Sequence, residues 1–113
     1  MELQVVQDAG APTRLVLVGR LDASGTEKVE VLFMARVRAA AGDVLVDMTA
    51  VGFVGSLGIR LLISAARLAE RAGRKVVLFG AQPPVAEVFR TVALDDLIPV
   101  AADEAAALAQ LVA

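Results

Sequence analysis

The chain has 113 residues, with eleven basic and thirteen acidic side chains and a formal net charge of −2. A chain of this length forms one domain around a single hydrophobic core, and its charge gives no basic footprint for nucleic acid. Although 58% of the residues are hydrophobic, no apolar run reaches the roughly 18–20 residues that a membrane span requires.

Several residue types on which catalysis and metal binding usually depend are missing. The chain contains no His, Cys, Tyr or Trp, which removes the imidazole base, the thiol nucleophile, disulfides and thiolate metal sites. A Ser–Lys dyad or a carboxylate metal site stays open on composition alone. We therefore expect a binding protein that is not an enzyme and uses no cofactor or metal. The lack of cysteine and of a signal-peptide pattern is compatible with a cytoplasmic location.

The first third of the chain predicts a β-hairpin followed by a helix. Apolar residues over 3–7 and 14–20, separated by a turn-forming cluster, predict two antiparallel strands. Ser-Gly-Thr-Glu at residues 24–27 fits a capping box with Ser24 as the N-cap, so a helix is expected over 24–41. Its predicted apolar face consists of Val29, Leu32, Phe33, Val37 and Ala40.

The rest of the chain alternates strands with helices. The predicted elements are a strand over 43–47, a helix from Ser56 to about 72, a strand over 75–80, a helix from Pro83, an edge strand over 97–100 and a helix from 103. The order β-β-α-β-α-β-α-β-α predicts a single α/β domain, residues 1–113, with parallel crossovers. Because it opens with a hairpin, its four- to five-stranded sheet is mixed. All four phenylalanines are expected in the core.

Ser56 is the candidate functional residue because it opens the second helix behind a glycine-rich turn. Gly55 precedes it and Gly58 follows shortly after, and the free N–H groups and dipole of a helix N-terminus favour an incoming anion. Arg60 lies one helical turn further on. The glycines do not match a phosphate-binding loop or a dinucleotide motif. A serine here is also a favoured N-cap, so a purely structural role stays open.

Residues 47–59, Asp-Met-Thr-Ala-Val-Gly-Phe-Val-Gly-Ser-Leu-Gly-Ile, resemble the signature of STAS domains, the class of bacterial anti-sigma-factor antagonists. The usual form of that signature is Asp-Leu-Ser-x-Val-x-Phe-Ile-Asp-Ser-Ser-Gly-Leu. Gly-Arg-Leu-Asp at residues 19–22 resembles the Gly-x-Leu-Asp before the family's first helix, and residues 94–100 are similar to the segment before its last helix. The likeness runs from about residue 15 to 112.

This resemblance implies a STAS fold and a function in partner switching, which regulates transcription. Such antagonists bind an anti-sigma factor that is also a GHKL-type serine kinase, and so release the sigma factor. The kinase phosphorylates the serine at the start of the second helix and breaks the complex, and a PP2C-type phosphatase restores binding. By resemblance, Ser56 is the phosphoacceptor and Asp22 lies in the interface loop beside it. The expected partner-binding residues are Asp22, Ser24, Gly55, Ser56, Leu57, Gly58 and Arg60.

Two departures from the family's signature keep other functions open. Gly55 stands where the family has an acid, which changes the charge that a kinase would recognise. Leu57 replaces a second serine and offers an exposed apolar contact to a partner or, weakly, to a second copy of the chain. The alternative is a STAS adaptor that does not switch, either a scaffold subunit of a signalling assembly or an accessory of a transport ATPase. A small nucleotide-binding or catalytic domain is a third.

Overall fold

The computed structural model describes residues 1–111, which form a five-stranded sheet with four helices and one 3-10 helix. The strands are β1 (Glu2–Val6), β2 (Thr13–Leu21), β3 (Val44–Val54), β4 (Val76–Phe79) and β5 (Val100–Ala101). The helices are α1 (Ala23–Ala39), α2 (Ser56–Arg71), α3 (Pro83–Thr91) and α4 (Glu104–Gln110), with the 3-10 helix at Leu94–Asp96. Residues 112 and 113, which the predicted domain includes, lie outside the described residues.

The sheet is mixed, as predicted. Its strands lie side by side in chain order, β1-β2-β3-β4-β5. Only the opening hairpin is antiparallel, and each later neighbour pairs parallel to the one before it. The single-domain α/β fold with an N-terminal hairpin is therefore confirmed in element order and in strand direction.

β3 is much longer than the predicted strand over 43–47. It continues through the glycine-rich stretch to Val54, because these residues pair with the end of β2: Gly19 with Val51 and Leu21 with Val54. The stretch predicted as a turn is thus the second half of a strand. Gly55 alone connects β3 to α2.

α1 begins before the predicted capping box, and the prediction of Ser24 as its N-cap is wrong. Asp22 is the N-cap, in an extended conformation, and its carboxylate accepts a hydrogen bond from the Gly25 amide at 2.8 Å. The helix also ends earlier, at Ala39. Leu32, predicted on the inner face, is 46% exposed, so the buried stripe of α1 is narrower than its apolar pattern indicates.

The region after α3 also differs from its prediction. The edge strand expected over 97–100 is reduced to Val100–Ala101. Ahead of it, Ala93 adopts a left-handed conformation and starts the 3-10 helix, whose cap residue Leu97 has helical angles and is 47% exposed. Ile98 is buried, and Val100 packs partly buried against the hydrophobic core.

Two hydrophobic clusters hold the sheet between its helices. The larger cluster lies where α1 and α2 pack against each other and against β2 and β3. Its largest fully buried side chains include Leu15, Leu17, Phe33, Met48 and Leu62. A smaller cluster comprises Leu45, Val77, Phe79, Ala101 and Ala107, the last from α4. Across residues 1–111, no helix has both the length and the apolar character needed to span a membrane.

Candidate functional site

The candidate site lies where two neighbouring parallel strands end. β2 leads into α1 and β3 leads into α2, and parallel strands deliver their carboxyl ends to one edge of a sheet. The two strand-to-helix connections are joined directly, because the Gly55 amide donates a 2.9 Å hydrogen bond to the Leu21 carbonyl. Residues 20–22 and 53–58 therefore form one surface region.

Ser56 is exposed at the first position of α2. Gly55 is the N-cap residue, and its carbonyl accepts the first helical hydrogen bond from the Ile59 amide at 3.0 Å. Since α2 has no side-chain cap hydrogen bond, the interpretation of Ser56 as a structural N-cap is wrong. The serine hydroxyl stands in solvent at the helix N-terminus without a capping function.

The N-terminus of α2 itself favours an added negative charge on Ser56. The first turn of α2 contains no acidic residue, and its free N–H groups carry the positive end of the helix dipole. Arg60, one turn along, is exposed, as are Arg67 and Arg71 on the same helix. A phosphate on Ser56 would meet the free N–H groups and Arg60 without an acidic neighbour in its own turn.

Asp22 lies on the adjoining connection, where it is the N-cap of α1. Besides the Gly25 amide, its carboxylate has Arg20 near it, with Nε 3.7 Å from Oδ2. The hydrogen bond from Gly25 is the main cause that lowers the pKa of Asp22, and the charge of Arg20 adds to it. The side chain keeps 43% of its surface exposed, so the second carboxylate oxygen stays accessible from solvent.

Phe53 and Arg20 belong to this surface, although sequence reasoning assigned Phe53 to the core. Phe53 is 39% exposed, and the Arg20 guanidinium carbon lies 4.4 Å from its ring centroid. The reason is a register shift: Gly19 pairs with Val51 but Arg20 pairs with Phe53. This bulge inserts Gly52 and reverses the facing of the next side chain. The other three phenylalanines are buried, as predicted.

The three small or apolar neighbours of Ser56 differ in how far they are exposed to solvent. Leu57 is 43% exposed, as predicted. Gly55 is half-buried, and a Cβ there would lie 3.4 Å from the Phe53 ring. Gly58 is buried, and a Cβ there would come within 2.9 Å of both Leu21 Cβ and the Leu21 carbonyl oxygen. Gly58 therefore serves the close packing of α2 on β2 and cannot offer a contact to a partner.

Of the predicted partner-binding residues, Asp22, Gly55, Ser56 and Leu57 come together at this edge of the sheet. Ser24 is exposed in the first turn of α1 and Arg60 is exposed on α2, so both border the same region. Arg20 and Phe53 are additions that the sequence analysis missed. Residues 1–111 contain no cluster of three or more His, Cys, Asp or Glu side chains that could hold a metal ion.

The chain matches one family model, and several solved structures are similar to it. A family model described as "Mlab, STAS domain" matches residues 5–99. No curated protein sequence matches the chain. Among solved structures, an anti-sigma-factor antagonist (STAS) domain protein from Planctomyces limnophilus is similar with a TM-score of 0.84 and 21% identity, over 98% of each chain.

Three further solved structures are similar, one of them phosphorylated and one with a substituted serine. The anti-sigma factor antagonist SpoIIAA in its unphosphorylated form has a TM-score of 0.77 and 20% identity, covering 96% of this chain and 95% of its own. The phosphorylated form of the Bacillus protein has a TM-score of 0.70 and 19% identity, covering 96% and 98%. RsbS of Moorella thermoacetica, with a serine-to-glutamate substitution, has a TM-score of 0.77 and 24% identity, covering 98% and 95%. At these identities the likeness shows a shared fold.

Proposed function

The chain belongs to the STAS domain family, and we propose that it is an anti-sigma-factor antagonist switched by phosphorylation of Ser56. In its unphosphorylated form it binds an anti-sigma factor that carries a GHKL-type serine kinase domain, in the cytoplasm of a bacterial cell. Phosphorylation by that kinase ends the binding, and a PP2C-type phosphatase restores it. The chain itself acts by binding and carries out no reaction.

The observation that carries this proposal is the position of the Ser56 side chain. The residue is exposed at the first position of α2, and the helix does not use it as a cap. A hydroxyl that makes no structural hydrogen bond can enter a kinase active site without unfolding the helix. The recorded phosphorylated and unphosphorylated forms of SpoIIAA, both similar in fold to this chain, support the same use of a STAS domain.

The release of the partner follows from the charge that phosphorylation adds. A phosphoserine carries about −1.5 to −2 charges, and at the N-terminus of α2 the helix dipole stabilises it by roughly 0.3–1 kcal/mol. The domain therefore stays folded. In a complex, the same charge would be buried against a surface that fits a small hydroxyl. Leaving it unpaired costs at least about 4 kcal/mol, which weakens binding about a thousandfold.

Incubation with a cognate anti-sigma factor kinase and ATP tests the proposal. We expect the intact mass to rise by one phosphoryl group, located on Ser56 by fragmentation. Ser56→Ala should abolish the gain. Ser64→Ala is the matched control, because Ser64 is another exposed serine on the same helix, and it should be modified like the wild type. A phosphoryl group on Ser64, or on both variants, would contradict the assignment.

A second function is favoured by the apolar character of this surface. Leu57 and Phe53 are both exposed beside Ser56, and Gly55 replaces the acid of the family's signature. These features suit an adaptor that is held permanently by a signalling assembly or a transport ATPase. In that case the kinase assay gives no mass gain, while Leu57→Asp still removes the chain from its complex.

A further inference from the structure

One edge of the sheet is open along the whole length of its strand. Within residues 1–111, β1 pairs with β2 on one side and with no strand on the other, so a row of its N–H and C=O groups faces outward. Natural edge strands are usually protected by lysine, proline, a bulge or a very short length. The sequence of β1, Glu-Leu-Gln-Val-Val, offers neither lysine nor proline, and its register with β2 is continuous. The opposite edge, β5, is only two residues long.

Apolar side chains are exposed beside this edge. Leu3 and Val5 are on the inner face of β1, because they pair with the buried Leu17 and Leu15. Val5 is nevertheless 36% exposed. Leu32 on α1, which the apolar pattern of that helix places inside, is 46% exposed.

The neighbours of Leu32 along α1 show which way it faces. Glu27 and Glu30 are on the side of α1 that lines a cleft together with α2. Arg36, one turn after Leu32, lines a small cavity of about 100 Å³ together with Val5 of β1. Residues four apart lie on the same side of a helix, so Leu32 faces the β1 edge and points away from α2. Leu3, Val5 and Leu32 thus form an apolar strip along this edge.

We propose that the β1 edge binds the β1 edge of a second copy of this chain, which joins the two five-stranded sheets into one continuous sheet about a two-fold axis. The second copy brings its own apolar strip, so each strip covers the other. The inference goes beyond the proposed function and does not depend on it. β1 lies two strands away from β3, whose end leads to Ser56, so both Ser56 side chains of the dimer stay free for a partner.

The occupant is a second copy because the sequence of β1 is self-complementary in an antiparallel ladder. A two-fold axis through Gln4 pairs all five residues of the strand: Gln4 with Gln4 of the second copy, Leu3 with Val5, and Glu2 with Val6. The Leu3–Val5 pairs lie on the inner face, on the same side of the sheet as the two Leu32 side chains. Glu2, the one charged residue of β1, faces a valine, so the ladder opposes no like charges.

The charges beside the apolar strip keep this association weak. Lys28 and Arg36 flank Leu32, one turn to either side, and both are exposed. Because the axis turns the second α1 antiparallel to the first, Lys28 of each copy lies near Arg36 of the other. Salt screens this repulsion, so the dimer should become tighter as the ionic strength rises.

Sedimentation equilibrium of the purified chain tests the proposal. The wild type should form dimers, and their fraction should rise with protein concentration and with salt. Leu32→Glu should weaken the dimer about tenfold or more, because the axis places the substitution in the interface twice. Leu97→Glu is the matched control, since Leu97 is 47% exposed and precedes β5 at the opposite edge of the sheet, and it should dimerise like the wild type. Circular dichroism checks that both variants are folded, and Val5→Lys, which puts a lysine on the edge itself, should also weaken the dimer.

Single cysteines test the register, because the chain has none of its own. Opposite residues of an antiparallel pair have Cα atoms about 4.5–5.5 Å apart, which a disulfide spans. Gln4→Cys should therefore give a disulfide-linked dimer on oxidation. Glu2→Cys alone should not, since its two copies are four positions apart, about 13 Å along the ladder. A mixture of Glu2→Cys and Val6→Cys should be linked.

A wild type that stays monomeric at about 1 mM would overturn the proposal. A dimer that is equally tight in Leu32→Glu and Leu97→Glu would overturn it as well, because the two copies would then meet at another surface. Linked Glu2→Cys with unlinked Gln4→Cys would mean that the axis does not pass through Gln4. The kinase assay on Ser56 is independent of all these measurements, so a failure here leaves the proposed function as it stands.

Discussion

At the scale of single residues, Gly58 determines how closely α2 approaches β2. A Cβ at this position would lie 2.9 Å from Leu21 and 3.2 Å from Val54 Cγ1. Gly58→Ala should therefore lower the free energy of unfolding by about 1–3 kcal/mol, as other overpacked substitutions do. Gly52→Ala is the matched control in the preceding strand, since nothing lies within 4 Å of its added Cβ. If urea unfolding shows that both variants lose the same free energy of unfolding, the close packing at Gly58 is contradicted.

Asp22 makes the stability of α1 depend on pH. Its pKa is lowered in the folded chain, chiefly by the hydrogen bond from the Gly25 amide. Its stabilising contribution is therefore complete above the unfolded pKa of about 3.9 and is lost as the pH falls through the lower, folded value. Asn caps a helix without titrating. On acidification, the unfolding temperature of the wild type should fall towards that of Asp22→Asn or below it. A difference between the two unfolding temperatures that does not change with pH would contradict this role.

The exposure of Ser56 and Leu57 could be predicted from the sequence, whereas that of Phe53 could not. A serine and a leucine at the start of an amphipathic helix lie ahead of its buried stripe. Phe53 follows a run of apolar strand residues, and regular alternation from the buried Val51 would place it inside. The bulge at Gly52 depends on pairing with β2, a contact distant in sequence, so local pattern alone cannot reveal it.

At the scale of elements, α2 should stay helical when Ser56 becomes negative. Ser56→Asp puts a charge at the first position of the helix, where the dipole stabilises it by roughly 0.3–1 kcal/mol. Far-UV circular dichroism should not change, and the free energy of unfolding should stay equal or rise. Ser56→Lys is the opposite charge at the same position and should be less stable than Ser56→Asp. Melting of α2 in the aspartate variant would mean that switching works by unfolding.

Element boundaries were harder to predict than element types. Asp22 and Ser24 are both favoured N-caps, and which of them caps α1 depends on where β2 ends. Because β2 ends at Leu21, Asp22 is in position to accept the hydrogen bond from the Gly25 amide. In the same way, the second half of β3 contains glycine and a small alanine, which indicate a turn locally. It becomes a strand because β2 offers it an unpaired edge.

At the scale of the whole molecule, the order of elements and the mixed sheet followed from the sequence. The alternation of strands with helices and the opening hairpin leave few topologies, and the observed strand order is the simplest of them. The same topology explains the site, because two neighbouring parallel strands end together and bring Asp22 to Ser56's side of the sheet.

The surface of the molecule supports a switch that acts on the partner and not on the fold. Leu57 and Phe53 are exposed next to the unbonded Ser56 hydroxyl at one end of the sheet. Removing an apolar contact there should weaken the complex without weakening the domain. Leu57→Ser should lower the affinity for the kinase several-fold while the unfolding temperature stays close to that of the wild type, and a parallel loss of both would contradict this separation.

One comparison of affinities tests whether phosphorylation of Ser56 acts as the switch. The chain phosphorylated on Ser56 and the unphosphorylated chain are titrated by calorimetry into the same anti-sigma factor kinase with ADP bound. Phosphorylation should weaken binding about a thousandfold, while both forms should give the same circular dichroism spectrum. Equal affinity of the two forms would contradict it.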